Sequence, residues 1–151
     1  MLLDGRVVVA DLYNHRLQVL NADTCAVVGT ITRSDGVAWN YPAGVTVDAK
    51  GFLYVADRGN HRVVVIKIDG TVVRTLGSQG SGPGQLSYPR GVCVDGNGNV
   101  LVGDHFNKRV VVFHPDGTTT HFAKPGYACD VLITSSNRLV VSGRQFVAEY
   151  A

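Results

Sequence analysis

The sequence predicts an all-β chain made of small four-stranded antiparallel sheets stacked side by side around an axis. Three observations point there: a block that repeats, short apolar runs broken at turn residues, and inner runs too uniformly apolar for a sheet wet on one face. The block YPAGVTVDAKGFLYVADRGNHRVVVIKIDG begins at Tyr41 and returns as YPRGVCVDGNGNVLVGDHFNKRVVVFHPDG at Tyr88, a shift of 47 residues without a gap over thirty positions. Upstream, GRVVVADLYNHRLQVL from Gly5 aligns with GFLYVADRGNHRVVVI from Gly51 at a shift of 46.

Taken in order, the first unit begins inside its strand A and carries the inner run Val7 to Val9. The second holds four apolar segments, Gly44 to Val47, Phe52 to Ala56, Val63 to Ile68 and Thr71 to Leu76, read as strands A to D from the axis outward. Asp-x-x-Gly separates A from B, and Asp69-Gly70 separates C from D, where glycine supplies the positive φ of a tight hairpin. The third unit repeats this plan, with Val110 to Phe113 as its inner run and Asp116-Gly117 as its hairpin. In the fourth, Val131 to Ile133, Leu139 to Val141 and Phe146 to Tyr150 read as A, B and C. The more polar D strands suit an outer, partly wet position. Runs such as Val63 to Ile66 are apolar on both faces, so each sheet must be covered on both sides, and radial stacking as propeller blades satisfies this. The expected blades are approximately 1–40, 41–87, 88–124 and 125–151, together one partial propeller spanning 1–151.

Composition narrows the function classes. Hydrophobic residues at 45% and charged residues at 17% exclude a disordered chain. Fourteen Lys and Arg against twelve Asp and Glu leave +2, so a polyanion-binding surface must be found locally. No run of about 18 apolar residues reads as a membrane span, no signal peptide opens the chain, and a cytoplasmic protein is expected. Cys25, Cys93 and Cys129 have no metal-like spacing and are expected to be buried, reduced thiols.

Three positions hold throughout the first three units: Asp11, Asp57 and Asp104; Asn14, Asn60 and Asn107; Arg16, Arg62 and Arg109. Because the triplet recurs, it suits a structural B–C corner in which Arg pairs with Asp and Asn holds the turn, better than a single catalytic centre. No catalytic residue, metal site or cofactor is expected. GSQGSGPGQLS, Gly77 to Ser87, lacks the Gly-Lys-Ser/Thr ending of a phosphate loop and reads as a long D–A connection.

The string YPxGVxVDxxGxLYVADxxNHRVVV resembles the NHL repeat, and the resemblance is to the propellers of tripartite-motif ubiquitin ligases above all. It implies six-bladed rings, of which this chain is expected to hold the C-terminal three to four blades, or half of a ring closed by two copies. Open blade edges then invite self-association. Several propellers of that kind bind RNA at the end carrying the B–C and D–A loops, and others bind protein substrates there. The third class the resemblance implies is a propeller enzyme, an amidating lyase or a lactonase. That end carries Leu12, Tyr13 and His15, then Arg58 and His61, then His105, Phe106 and Lys108, with Trp39, Tyr41, Tyr88, Arg90 and Tyr127 from the D–A connections. Tyr13, Arg58, His61, Arg90, His105, Phe106 and Lys108 are the candidate contacts to single-stranded or hairpin RNA, or to a protein substrate. Cations among aromatic rings suit phosphates that pair and bases that stack. Asp4, Asp48, Asp69, Asp95 and Asp116 lie at the opposite rim.

Overall fold

A computed structural model describes residue 2 and residues 4–123, 126–136, 138–143 and 146–150. The expected 124/125 blade boundary lies outside these residues. Fourteen strands run in chain order: β1 (Arg6–Asp11), β2 (Arg16–Asn21), β3 (Val27–Ile31), β4 (Pro42–Val47), β5 (Leu53–Asp57), β6 (Arg62–Ile66), β7 (Val72–Leu76), β8 (Pro89–Val94), β9 (Val100–Asp104), β10 (Arg109–Phe113), β11 (Thr119–Ala123), β12 (Ala128–Ile133), β13 (Leu139–Gly143) and β14 (Phe146–Tyr150). They form four antiparallel meanders, β1-β2-β3, β4-β5-β6-β7, β8-β9-β10-β11 and β12-β13-β14. The fold is a partial β-propeller of four blades.

By the repeat alignment β1 is a strand B, so among the described residues the first blade holds B, C and D; the expected start inside strand A is corrected. The last holds A, B and C, which leaves the inner edge of β1 and the outer edge of β14 without a partner strand among the described residues.

Strand alternation sends side chains to two different cores, which is why the inner strands need apolar residues at every position. Leu53 and Val55 pack with Leu17, Val19 and Trp39 between the first and second blades. Their neighbours Tyr54 and Ala56 point the other way, to meet Val92, Val102 and Val111 between the second and third. Cys93, Leu101 and Val110 meet Ala128, Val131 and Val141 between the third and fourth. Cys93 is buried, and burial pushes its thiol up to about 12. Cys25, in a left-handed turn, is exposed and Cys129 only half-buried, which corrects the expectation of three buried thiols.

Candidate functional site

In the first three blades strand B ends in an aspartate whose carboxylate organises the turn to strand C; in the fourth, β13 ends in Gly143. Asp11 accepts from Asn14 Nδ2 at 2.9 Å, Arg16 Nε at 2.8 Å and Gln18 Nε2 at 2.6 Å. Asp57 is fully buried and accepts from Asn60 at 2.8 Å, Arg62 at 3.2 Å, the Asn40 backbone N–H at 2.9 Å and Arg33 at 3.0 Å. Asp104, also fully buried, accepts from Asn107 at 2.8 Å, Arg109 at 2.7 Å and the Ser87 N–H at 2.6 Å. These corners reach across blades. Arg109 also donates to the carbonyls of Ser81, Gly82 and Gln85 and so clamps the long D–A loop, while Asn107 holds Gly80 O. Arg33, which lies outside the repeat frame, is a buried cation shared by Asp35 and Asp57.

The corner closes on a residue in the left-handed region: His15 at φ 53°, His61 at 55° and, in the third blade, Lys108 at 54°. In the first two blades this residue is a joint. His15 Nδ1 accepts the Tyr41 N–H at 3.2 Å with ring centroids 4.2 Å apart, and His61 Nδ1 accepts the Tyr88 N–H at 3.2 Å with centroids at 4.3 Å. In the third, an ammonium cannot accept a hydrogen bond. Lys108 Nζ lies instead 5.0 Å over the Tyr127 ring, and His105 supplies the link, its Nδ1 at 3.1 Å from Ala128 O.

The candidate contacts therefore divide. His61 and His105 are 7% and 8% exposed and engaged between blades, so the structure assigns them to joints instead of to a ligand-facing surface. Trp39 is buried and donates its indole N–H to Ile31 O, which removes it from the rim. Tyr13 at 84% and Phe106 at 50% stand exposed, as does Lys108, with the Tyr88 ring 4.8 Å beside Phe106 and the Arg58 guanidinium 5.1 Å over Tyr88. The Nε of Arg58 and of Arg90 are buried without a hydrogen-bond partner. Arg90, the second residue of β8, lines a cavity of about 390 Å³ bordered by Tyr13, Gly44, Cys129 and Asp130, on the axis where the inner strands converge. The carboxylates of the opposite rim cap their own turns: Asp48 accepts from Lys50 and Phe52, Asp95 from Asn97 and Asn99, Asp69 from Thr71 and Asp116 from Thr118. Asp4 pairs with Arg6. Exposed rings thus gather at one end of the stack with the corner ion pairs, and turn-capping aspartates stand at the other beside Arg6, Lys50 and Arg74. Among the described residues, no group of three or more His, Cys, Asp or Glu is placed to hold a metal ion.

Burial holds both joint histidines below the ordinary imidazole pKa. For His61 the Arg58 charge adds to this and Asp104 opposes it; for His105 the Ala128 bond opposes it while Arg90 and Arg58 add to it. A depressed folded pKa means the unfolded chain binds the proton first, so stability is complete above about pH 6.5 and falls as pH drops from there toward the folded values. The urea midpoint is therefore expected to be flat from pH 8 to 7 and to fall between about pH 6.5 and 5, with a smaller fall in His61→Gln. A flat wild-type profile through that window would contradict this account.

The NHL repeat model matches residues 40–66 and 86–113. These segments cover strands A to C of the two complete blades, so NHL repeats are detected in both. No curated protein matches the chain by sequence. Among solved structures it superposes on the nidogen/laminin complex with a TM-score of 0.76 at 24% identity, over 94% of this chain and 54% of that one. It superposes on virginiamycin B lyase from Staphylococcus aureus at 0.70 and 15%, over 99% and 53%, and on a putative gluconolactonase at 0.76 and 17%, over 97% and 55%. These likenesses define the fold. The chain spans about half the length of each. No helix among the described residues is long and apolar enough to cross a membrane.

Proposed function

We propose that this chain is a non-enzymatic recognition module, of the kind tripartite-motif proteins carry, that binds single-stranded or loop RNA through the end formed by its B–C and D–A connections. One observation carries the reading: exposed Tyr13 and Phe106 share that end with Arg58, Arg90 and Lys108, while the corner aspartates there are neutralised by their own arginines. In this reading Phe106 and Tyr13 stack on bases and the three cations pair with phosphates. The unpartnered Nε atoms of Arg58 and Arg90 leave donor capacity that an anion would use.

Selection from a random RNA pool on the immobilised chain, followed by titration of the winner at several salt concentrations, tests it. A negative log–log salt slope is expected, falling by about 0.7 in Lys108→Ala and again in Arg90→Ala. Phe106→Ala is expected to lose about 1–3 kcal/mol of affinity with the slope unchanged. Slopes that do not respond to either cation would end the RNA reading. Salt-insensitive capture of a protein through the same residues would favour instead a platform presenting substrates to a ubiquitin ligase.

A further inference from the structure

The repeat alignment makes three inner-strand positions equivalent, Ala43, Arg90 and Cys129, and the next three, Gly44, Gly91 and Asp130. The scaffold asks for a small residue at the second set. A Cβ on Gly91 would lie 2.6 Å from Asp130 Cα, and one on Gly44 would meet the Arg90 carbonyl. Arg90 and Asp130 are therefore the two charged departures from the repeat, on adjacent inner strands, and both border the same axial cavity of about 390 Å³. Neither is used up internally. Asp130 accepts one hydrogen bond, from the Val131 N–H, and Arg90 keeps a buried Nε without a partner, its Nη1 lying only against Cys129 Sγ at 3.9 Å. No ion pair joins either to another described residue. Ala43, Gly44 and Gly91 line the cavity with little side chain, and Tyr13 stands exposed at its rim.

From this arrangement we infer that the cavity reads a single guanine base, with Arg90 donating to the O6/N7 side, Asp130 accepting from N1–H and the N2 amino group, and Tyr13 covering the open ring face. The inference rests on the RNA reading above and departs from it at one residue: Arg90 meets a base instead of a phosphate, so Arg90→Ala is expected to remove the sequence preference and leave the salt slope unchanged, while Arg58 and Lys108 keep the phosphates. The chemistry favours guanine over the alternatives. A phosphate would meet the Asp130 carboxylate, a repulsion the exposed cations of the face do not impose. Adenine places an amino donor where Arg90 needs an acceptor. Uracil sets carbonyls on both sides of its one N–H, and cytosine pairs an amino group with Asp130 but offers no N7. Guanine alone presents two acceptors toward the cation and adjacent N–H donors toward the carboxylate, in a cavity of ordinary ligand size.

The test is fluorescence anisotropy of the chain with labelled uridine oligomers carrying G, A, C, U or inosine at the central position, at two salt concentrations. About a tenfold preference for G is expected, as one good bidentate contact supplies, and inosine, which lacks the N2 amino group, should lose part of it. Asp130→Asn should abolish the preference while all-uridine affinity stays level or rises, since a negative charge is removed. Asp130→Gly, the residue the repeat itself carries there, should behave likewise and guards against misfolding, with circular dichroism as the check. Equal affinity for all five oligomers overturns the guanine inference and leaves the RNA reading standing. A G preference that survives in both variants overturns the role of Asp130, and no binding to any oligomer overturns both readings.

Discussion

Asp104→Ala is expected to lower unfolding free energy by about 3–5 kcal/mol, the range for removing one partner of a buried ion pair. The size follows from what is stranded. Arg109 is 7% exposed and loses its carboxylate partner, Asn107 loses an acceptor, and the Ser87 N–H is left without its 2.6 Å partner. Arg109 would keep three loop carbonyls, but its charge would be unpaired in a buried setting. Asp11→Ala removes the same corner in the first blade, where Arg16 is 49% exposed and water can take over. That change is expected to cost no more than about 1 kcal/mol from the ion pair. Urea midpoints of the two variants decide the matter: equal small losses would mean that burial is not what gives the corner its weight.

The second large effect is geometric. Gly91→Ala places a methyl 2.6 Å from Asp130 Cα and 2.7 Å from Val131 N, both backbone atoms of β12 that no rotamer change can move aside. Inserting a group into a packed interior costs about 1–3 kcal/mol, and here the strain falls on the seam between the third and fourth blades. Gly96→Ala is the control, since a Cβ there meets nothing within 4 Å. The Gly91 variant should lose amide protection first in β12 to β14, and a variant as stable as wild type would show that the inner strands separate at little cost.

The strand plan was legible because the repeat compares each blade with its neighbours. Turn residues at a 47-residue shift can only be the same turn, and runs such as Val63 to Ile66 reveal their two-sided burial without coordinates. The candidate site was less legible, for reasons of sequence distance. His61 looks like a free imidazole on a loop, and its burial depends on Tyr88, twenty-seven positions on, closing over it. Trp39 reads as a rim aromatic until β3 supplies the carbonyl of Ile31. Arg33 belongs to no repeat position, so nothing local marks it as the cation that Asp57 shares between blades. Asp130 sits in the degenerate fourth unit, where the alignment is weakest, and its neighbourhood with Arg90 appears only once β8 and β12 lie side by side. The one available signal was an acidic residue standing where two earlier repeats have glycine.

The seams between blades are not chemically alike, and acid should tell them apart. In the first two, an imidazole lone pair receives a backbone N–H, and at the buried His61 a proton on Nδ1 turns that acceptor into a donor facing a donor. In the third, His105 Nδ1 faces a carbonyl, a contact that a protonated ring still makes, and the lysine beside it is charged already. A proton at the second seam therefore inverts a hydrogen bond, while one at the third leaves the bond in place and puts its cost in the burial of charge. The same acid thus parts the second and third blades by removing a clasp and strains the third and fourth by charging one.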